Sequence, residues 1–244
     1  MKGNDIINNC ITCNKDYPVK FKFNNYYNCL ENNKKSDSKD ITKEGEIKYY
    51  DIVLDEIEDI FTSGNYDTNN LDEGKDDVIE TEKITITLTT TDNQKNNVNE
   101  KKTSIDLGEC ETSLRKHYNI SDDEKLYIQK IDIVQEGMKI PKIEYSVYAK
   151  LSGNNLVKLN ISSVCQNIKI NLLLSVEIND DLEKYNNNSE YCSDKCHVSK
   201  SKDGVDTTLK DRQNVCLNNT LCQNDCLFID YNYTTKKVNC SCDI

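Results

Sequence analysis

Twelve cysteines and two histidines are the side chains of this 244-residue chain whose types and spacing point to chemistry. A thiol can bridge, hold a metal or attack a carbon, and each use favours its own spacing. Seven cysteines lie between Tyr191 and Ile244: Cys192, Cys196, Cys216, Cys222, Cys226, Cys240 and Cys242. Their gaps are irregular and lack the two tight pairs flanking a fixed loop that structural zinc sites present. His197, beside Cys196, is the only histidine among them. The spacing therefore favours disulfides. The alternative is an intracellular zinc-binding interaction protein using Cys192, Cys196, Cys222 and Cys226. Nucleophilic catalysis needs a tuned base beside a Ser or Cys, and His117 and His197 are the only histidines. Cys196, next to His197, reads as a bridge sulfur. A Gly-rich phosphate loop, a zinc-protease helix motif and a Gly-x-Ser-x-Gly elbow are all missing from the sequence. The expectation is a non-enzyme without catalytic, cofactor-binding or metal residues.

Disulfides persist in oxidising compartments. Met1 to Asp5 is not followed by a signal-like apolar run, and the sequence has no 18-residue apolar stretch. The two observations are reconciled if the chain is part of a longer exported precursor, with any membrane attachment supplied from outside it. The net charge of −11 argues against nucleic acid, whose binding rests on clustered Lys and Arg. Only 36% of residues are hydrophobic and Trp is absent, so a core must be assembled from few large side chains.

The elements that must position the cysteines follow from periodicity. Residues 1–31, with Cys10, Cys13 and Cys29, form a unit too small to bury a core and dependent on bridges. Cys13 and Cys29 are its disulfide candidates, and one of the three cysteines is left over. Residues 32–82 read as a polar and acidic linker holding one amphipathic helix at about 46–62, whose stripe is Val53, Leu54, Ile57, Ile60 and Phe61. The acidic run from Asp67 to Glu82 starts like a calcium loop, but Leu71 and Asp72 break the ligand pattern, so it reads as solvated charge.

From Lys83 the period becomes two. Ile84–Leu88, Leu126–Ile133, Ile143–Tyr148, Leu156–Ile161 and Ile168–Ile178 read as strands, with a short helix at Glu111–Tyr118 and a polar loop at Asp92–Lys102. Turn signals separate them, which is the pattern of an antiparallel β-sandwich over residues 83–190. Cys110 and Cys165 are the only cysteines between residues 30 and 191, so a bridge between them is the economical assignment. Residues 182–217, which lead into the tail at 191–244 and form its first part, read as loops and turns. Leu227–Ile229 and Lys236–Val238 read as a hairpin that brings Cys226 near Cys240 and Cys242. Six Asn-x-Ser/Thr sequons, at Asn119, Asn160, Asn187, Asn218, Asn232 and Asn239, are glycan acceptors if the chain is exported.

Three resemblances add to this reading. Asn9-Cys10-Ile-Thr-Cys13 through Tyr17-Pro18, closing at Asn28-Cys29-Leu-Glu, resembles one unit of the growth-factor-receptor or furin-like cysteine-rich repeats of large protist surface proteins. The block Leu107-Gly-Glu-Cys110, Leu126-Tyr-Ile128-Gln-Lys-Ile131, Gly137 to Tyr145, Thr208-Leu-Lys-Asp-Arg212, Leu221-Cys222 and Tyr231 to Cys242 resembles an uncharacterised domain of those same proteins. There it lies between the repeats and a membrane-spanning region. Cys192 and Cys216 stand outside that domain's pattern, which implies that they pair with each other. Cys222, Cys226, Cys240 and Cys242 would then frame the closing hairpin in crossed pairs. Finally, Cys226 followed after thirteen residues by Cys240-Ser-Cys242 is similar to the end of the GPS motif of adhesion-receptor GAIN domains. That motif's Trp residues and its His-Leu-Ser/Thr cleavage tripeptide are absent here, so the likeness implies a helix-then-sandwich order and not autoproteolysis.

Together these expectations describe a mainly β (α+β) chain. It is an antiparallel β-sandwich with a disulfide-rich C-terminal tail, one N-terminal amphipathic helix and a small cysteine-rich N-terminal module. The expected role is a non-catalytic structural or adhesive module of a larger cell-surface protein, secreted or on the extracellular face. A protein or glycan is its expected ligand, and a GAIN-like receptor segment is a further alternative.

Overall fold

Strand Leu126–Ile133 shows why the molecule has two layers of buried side chains. Its alternate residues Leu126 and Ile128 are buried on one face, Tyr127 and Ile131 on the other. A strand apolar on both faces must lie inside, with neighbours above and below. The computed structural model describes residues 19–23, 26–30, 54–55, 57–64, 66–80, 83–96, 102–135, 139–151, 153–178, 181–186, 188–223 and 225–244, with side chains from Leu54 onward except that of Asn218.

In chain order the described strands are β1 (Val19–Phe23), β2 (Tyr26–Leu30), β3 (Asp77–Glu80), β4 (Ile84–Thr90), β5 (Ser104–Asp106), β6 (Leu126–Ile133), β7 (Lys142–Lys150), β8 (Leu156–Lys158), β9 (Lys169–Ser175), β10 (Cys226–Asn232) and β11 (Lys237–Asp243). The helices are α1 (residues 57–62), α2 (Asn69–Asp72), α3 (Thr91–Asn96), α4 (Glu109–Tyr118), α5 (Ile161–Val164), α6 (Glu190–Ser193) and α7 (Leu209–Asn218), with a 3₁₀ turn at Leu182–Tyr185. β1 and β2 form an antiparallel hairpin. The other nine strands make two antiparallel sheets, one ordered β3-β4-β6-β7-β8 and one ordered β10-β11-β9-β5.

One apolar cluster draws on both sheets. Leu126, Ile128, Ile143, Val147 and Ala149 of the five-stranded sheet join Ile105, Ile170, Leu172, Leu174, Val238, Cys240 and Cys242 of the four-stranded one. A second cluster lies on the other face of the five-stranded sheet, where Ile84, Ile86, Leu88, Tyr127, Ile131, Tyr148 and Leu156 meet Ile57 and Phe61 of α1 and Leu71 of α2. Phe61 is fully buried and packs edge-on against Tyr66 and Tyr148, at centroid distances of 4.9 and 5.0 Å.

Several sequence expectations need correction. The acidic run is not a solvated linker throughout, because residues 69–72 form α2 and residues 77–80 form β3, which pairs with β4 in register Ile79↔Ile86. Leu71 and Ile79 supply apolar burial, and partners satisfy the carboxylates: Tyr66 donates to Asp77 at 2.5 Å, Tyr127 to Asp72 at 2.9 Å, and Thr89 to Asp76 at 2.6 Å. The sheet therefore begins upstream of Lys83. The loop expected at Asp92–Lys102 opens with α3, whose Asn93 and Gln94 are buried through hydrogen bonds. Gln94 donates to Thr89 Oγ1 and accepts from the Ile105 amide, which links β4 to β5. The strand expected to reach Ile161 stops at Lys158, since Asn160 caps α5 by accepting from the Ser163 amide. Residues 182–217 are not only loops and turns. α7 is a three-turn helix opened by a reciprocal capping box between Thr208 and Asp211. The start of the helix expected at 46–62 lies outside the described residues; α1 is its last part.

Candidate functional site

The cysteines fall where the strands place them. β11 lies between β9 and β10, and Cys240 and Cys242, two residues apart, point to the same inner face. Cys242 is directly opposite Cys226 on β10, and the two are bonded with Cα atoms 4.0 Å apart. Cys240 is bonded to Cys222, in the segment leading into β10, at a Cα separation of 5.7 Å. Cys110, in the first turn of α4, is bonded to Cys165 just past α5, and both are fully buried. Cys192 of α6 is bonded to Cys216 of α7. These bonds do not bring together Cys192, Cys196, Cys222 and Cys226, the set a zinc site would have used. Cys196 is the free cysteine among the described residues, and it is exposed. Cys10 and Cys13 lie outside the described residues, and of Cys29 only the backbone, on β2, is described.

The six sequons are not equivalent. Asn119 is exposed and ends α4 in the left-handed conformation at φ 55°. Asn160 is exposed at the cap of α5. Asn232 is exposed in the β10–β11 turn, where its Oδ1 accepts from the amides of Thr234 and Thr235 at 2.9 and 3.0 Å. Asn239 differs. It sits in the interior strand β11 opposite Asp230 and Leu173, half-buried, with its Oδ1 enclosed and lacking a hydrogen-bond partner. Asn187 lies outside the described residues, and Asn218 is the last residue of α7.

Besides Asp77 and Lys237, charge enters the described interior in three places. On α4, Glu111 is buried and accepts from Lys95 at 2.8 Å, from Arg115 at 3.0 Å and from Thr91 at 3.1 Å. Burial opposes ionisation of this carboxyl, but the hydrogen bonds from Lys95 and Arg115 outweigh it and hold the pKa below its ordinary 4.5. A depressed folded-state pKa contributes stability that is fully present above the unfolded value and lost as pH falls through the folded one. Glu111→Gln is therefore expected to cost about 1.5–3 kcal/mol at neutral pH, the range for a hydrogen bond to a charged group. The gap from the parent should close below pH 4.5, as read from urea midpoints across a pH series. A gap independent of pH would show that the ion pairs contribute nothing.

The second place is on β6. Lys130 and Asp132 share the face turned toward the four-stranded sheet and contact each other and Thr103. The third is Arg212, the largest fully buried side chain, which pins the loop before it by donating to the carbonyls of His197 and Asp194, each at 2.6 Å. Its guanidinium also faces the Tyr191 ring at 5.8 Å, while Nε is buried without a partner. Arg212 and Cys216 are the side chains that α7 buries, so residues 190–217 form a lobe with a very small interior of Tyr191, Cys192 and Cys216. Val198, Val205 and Leu217 of that lobe are exposed.

Sequence reasoning missed Lys130, Asp132, Thr103, Glu111 and Arg212. For Arg212 a signal existed, because Thr208-x-x-Asp211 is a helix-start signature and places Arg212 in the first turn of a helix. Open surface clefts among the described residues include one of ≈ 560 Å³ formed by Asp225, Cys226, Leu227, Asp243 and Ile244 and another of ≈ 450 Å³ around Arg115, Lys116 and Asn119. Among the described residues, no cluster of three or more His, Cys, Asp or Glu side chains could hold a metal ion, and no helix is long and apolar enough to cross a membrane. No protein family, curated protein or solved structure matches this chain.

Proposed function

We propose that the chain is a non-catalytic, extracellular structural or adhesive module of a larger cell-surface protein. In this reading the two sheets pack as a β-sandwich that the disulfide-rich tail closes, and β1–β2 belongs to a small cysteine-rich unit ahead of it. The observation that carries the proposal is the set of four disulfides in the described chain, three of them clamping the segment from Cys192 to Cys242. Such density fits an oxidising compartment, secreted or on the cell surface. Exposed sequons at Asn119, Asn160 and Asn232 fit the same compartment. The ligand is a protein or glycan, and membrane attachment comes from segments outside this chain.

Peptide mapping of the native protein, alkylated without reductant, tests the reading. Expected are the four cross-linked cysteine pairs and N-glycans at Asn119, Asn160 and Asn232, with Asn239 bare. A glycan added to Asn239 before folding would have to leave the middle of a sheet beside the Cys222–Cys240 bond, so glycosylated chains would not reach the native population. Alkylated cysteines together with bound zinc would overturn the proposal in favour of an intracellular zinc protein.

A further inference from the structure

We propose that Lys130 and Asp132 become joined by an intramolecular amide between Nζ and Cγ, making β6 a site of self-catalysed side-chain cross-linking. The inference does not depend on the extracellular reading. It begins from burial: the side chains are 3% and 14% exposed, and Nζ lies 2.8 Å from Asp132 Oδ2. That contact holds the amine against the carboxyl group, and proximity of this kind turns a bimolecular step into an effectively unimolecular one. Two residues of a strand span roughly 6.6 Å, so side chains at i and i+2 on one face need no backbone movement to meet.

Thr103, in the segment entering β5, touches both reactants. Its carbonyl accepts from Nζ at 2.8 Å, its Oγ1 also contacts Nζ, and Oγ1 donates to Asp132 Oδ1 at 2.5 Å. The hydroxyl is thus aimed at the oxygen on which negative charge develops during attack, while Oδ2, against the amine, is the oxygen that leaves. On the neighbouring strands Lys130 is flanked by Thr87 and Tyr145, and Thr87 is buried. Bulk water is largely kept from the pair. Desolvation is the dominant influence on Lys130 and lowers its pKa despite the attraction of Asp132, which favours the neutral amine that a nucleophile requires.

The step balances without a cofactor or oxidant. A proton passes from the ammonium to the carboxylate, giving amine and acid. The nitrogen lone pair then attacks Cγ, a second N–H proton moves to the departing hydroxyl, a C–N bond replaces a C–O bond, and one water is released.

The test is the intact mass of the folded full chain, measured in denaturant after disulfide reduction and removal of N-glycans. The expected mass is one water below that of the sequence with each deglycosylated Asn counted as Asp. Tryptic digestion should show no cleavage after Lys130 and a Lys130–Asp132 cross-linked peptide. Lys130→Arg should restore the full mass, and Asp132→Asn, if it folds, should release ammonia instead of water. Thr103→Val should slow or abolish the loss. The parent protein decides the matter even if every variant misfolds: a mass without the water loss, with normal cleavage after Lys130, overturns the proposal. A water loss mapped to any other pair, including a hydroxylamine-labile Thr103–Asp132 ester, overturns it equally.

Discussion

Replacing Cys110 and Cys165 together by alanine is expected to lower global stability by about 4 kcal/mol, because the bridge closes a loop of 55 residues and loop-closure entropy grows with length. Both sulfurs are fully buried in the cluster shared by the two sheets, so the substitution also leaves a small void. With a urea dependence of roughly 2–3 kcal/mol/M, the unfolding midpoint should fall by about 1–2 M. The chain has no Trp, so near-ultraviolet circular dichroism of its fourteen tyrosines is the practical probe. A midpoint within error of the parent's would show that α4 is held to the sheets by packing alone. The Cys192–Cys216 bond is the informative control. It closes a shorter loop around an interior of three residues, so its removal should loosen the lobe while leaving the main transition in place.

Phe61→Ala carries the second large effect, an expected loss of about 3–5 kcal/mol by the same denaturation measurement. Phe61 is 0% exposed, and its ring is wedged between Tyr66 and Tyr148. Removing it opens a cavity where α1 meets the five-stranded sheet, and neither tyrosine can close it, since Tyr66 is fixed through Asp77 and Tyr148 donates to Gln129 at 2.9 Å. Phe61→Leu should recover part of the loss. A cost below about 1 kcal/mol would mean that the helix is a removable cover rather than part of the fold.

The strands rich in β-branched and aromatic residues were legible in the sequence, and β6 was expected with its observed bounds because Leu126, Tyr127, Ile128, Ile131 and Ile133 stand close together in a run bounded by polar residues. What stayed hidden was polar burial. β3 has two apolar residues in four, and α3 has none that announces itself; both are held by hydrogen bonds to residues far away in the chain, such as Asn93 to the carbonyl of Leu71. Periodicity reports apolar faces only, so partners of this kind leave no local trace. The same holds for the cross-linking pair. Lys130 and Asp132 continue the face of Leu126 and Ile128, an alternation that places two charges inside, but the oxygens of Thr103 that receive them arrive from a different sheet. The pairing of Cys110 with Cys165 needed only elimination, whereas α7 was overlooked because its exposed face is so broad that no apolar stripe forms.

The position of β11 has a kinetic consequence. It is the latest described strand in chain order, yet it occupies an interior place between β9 and β10. During synthesis β9 can pair with β5 on one side while its other edge waits, carrying Leu172 and Leu174 beside unsatisfied backbone amides. The nascent chain therefore presents an open, sticky edge until β11 arrives, which makes strand insertion the step most exposed to aggregation and to mispaired sulfurs. Once β11 is in, the bonds at Cys240 and Cys242 fix its register on one face, since a slip of a single residue would turn both sulfurs away from their partners. Oxidation at these two cysteines is thus a proofreading event: it seals only the chains in which β11 has threaded correctly.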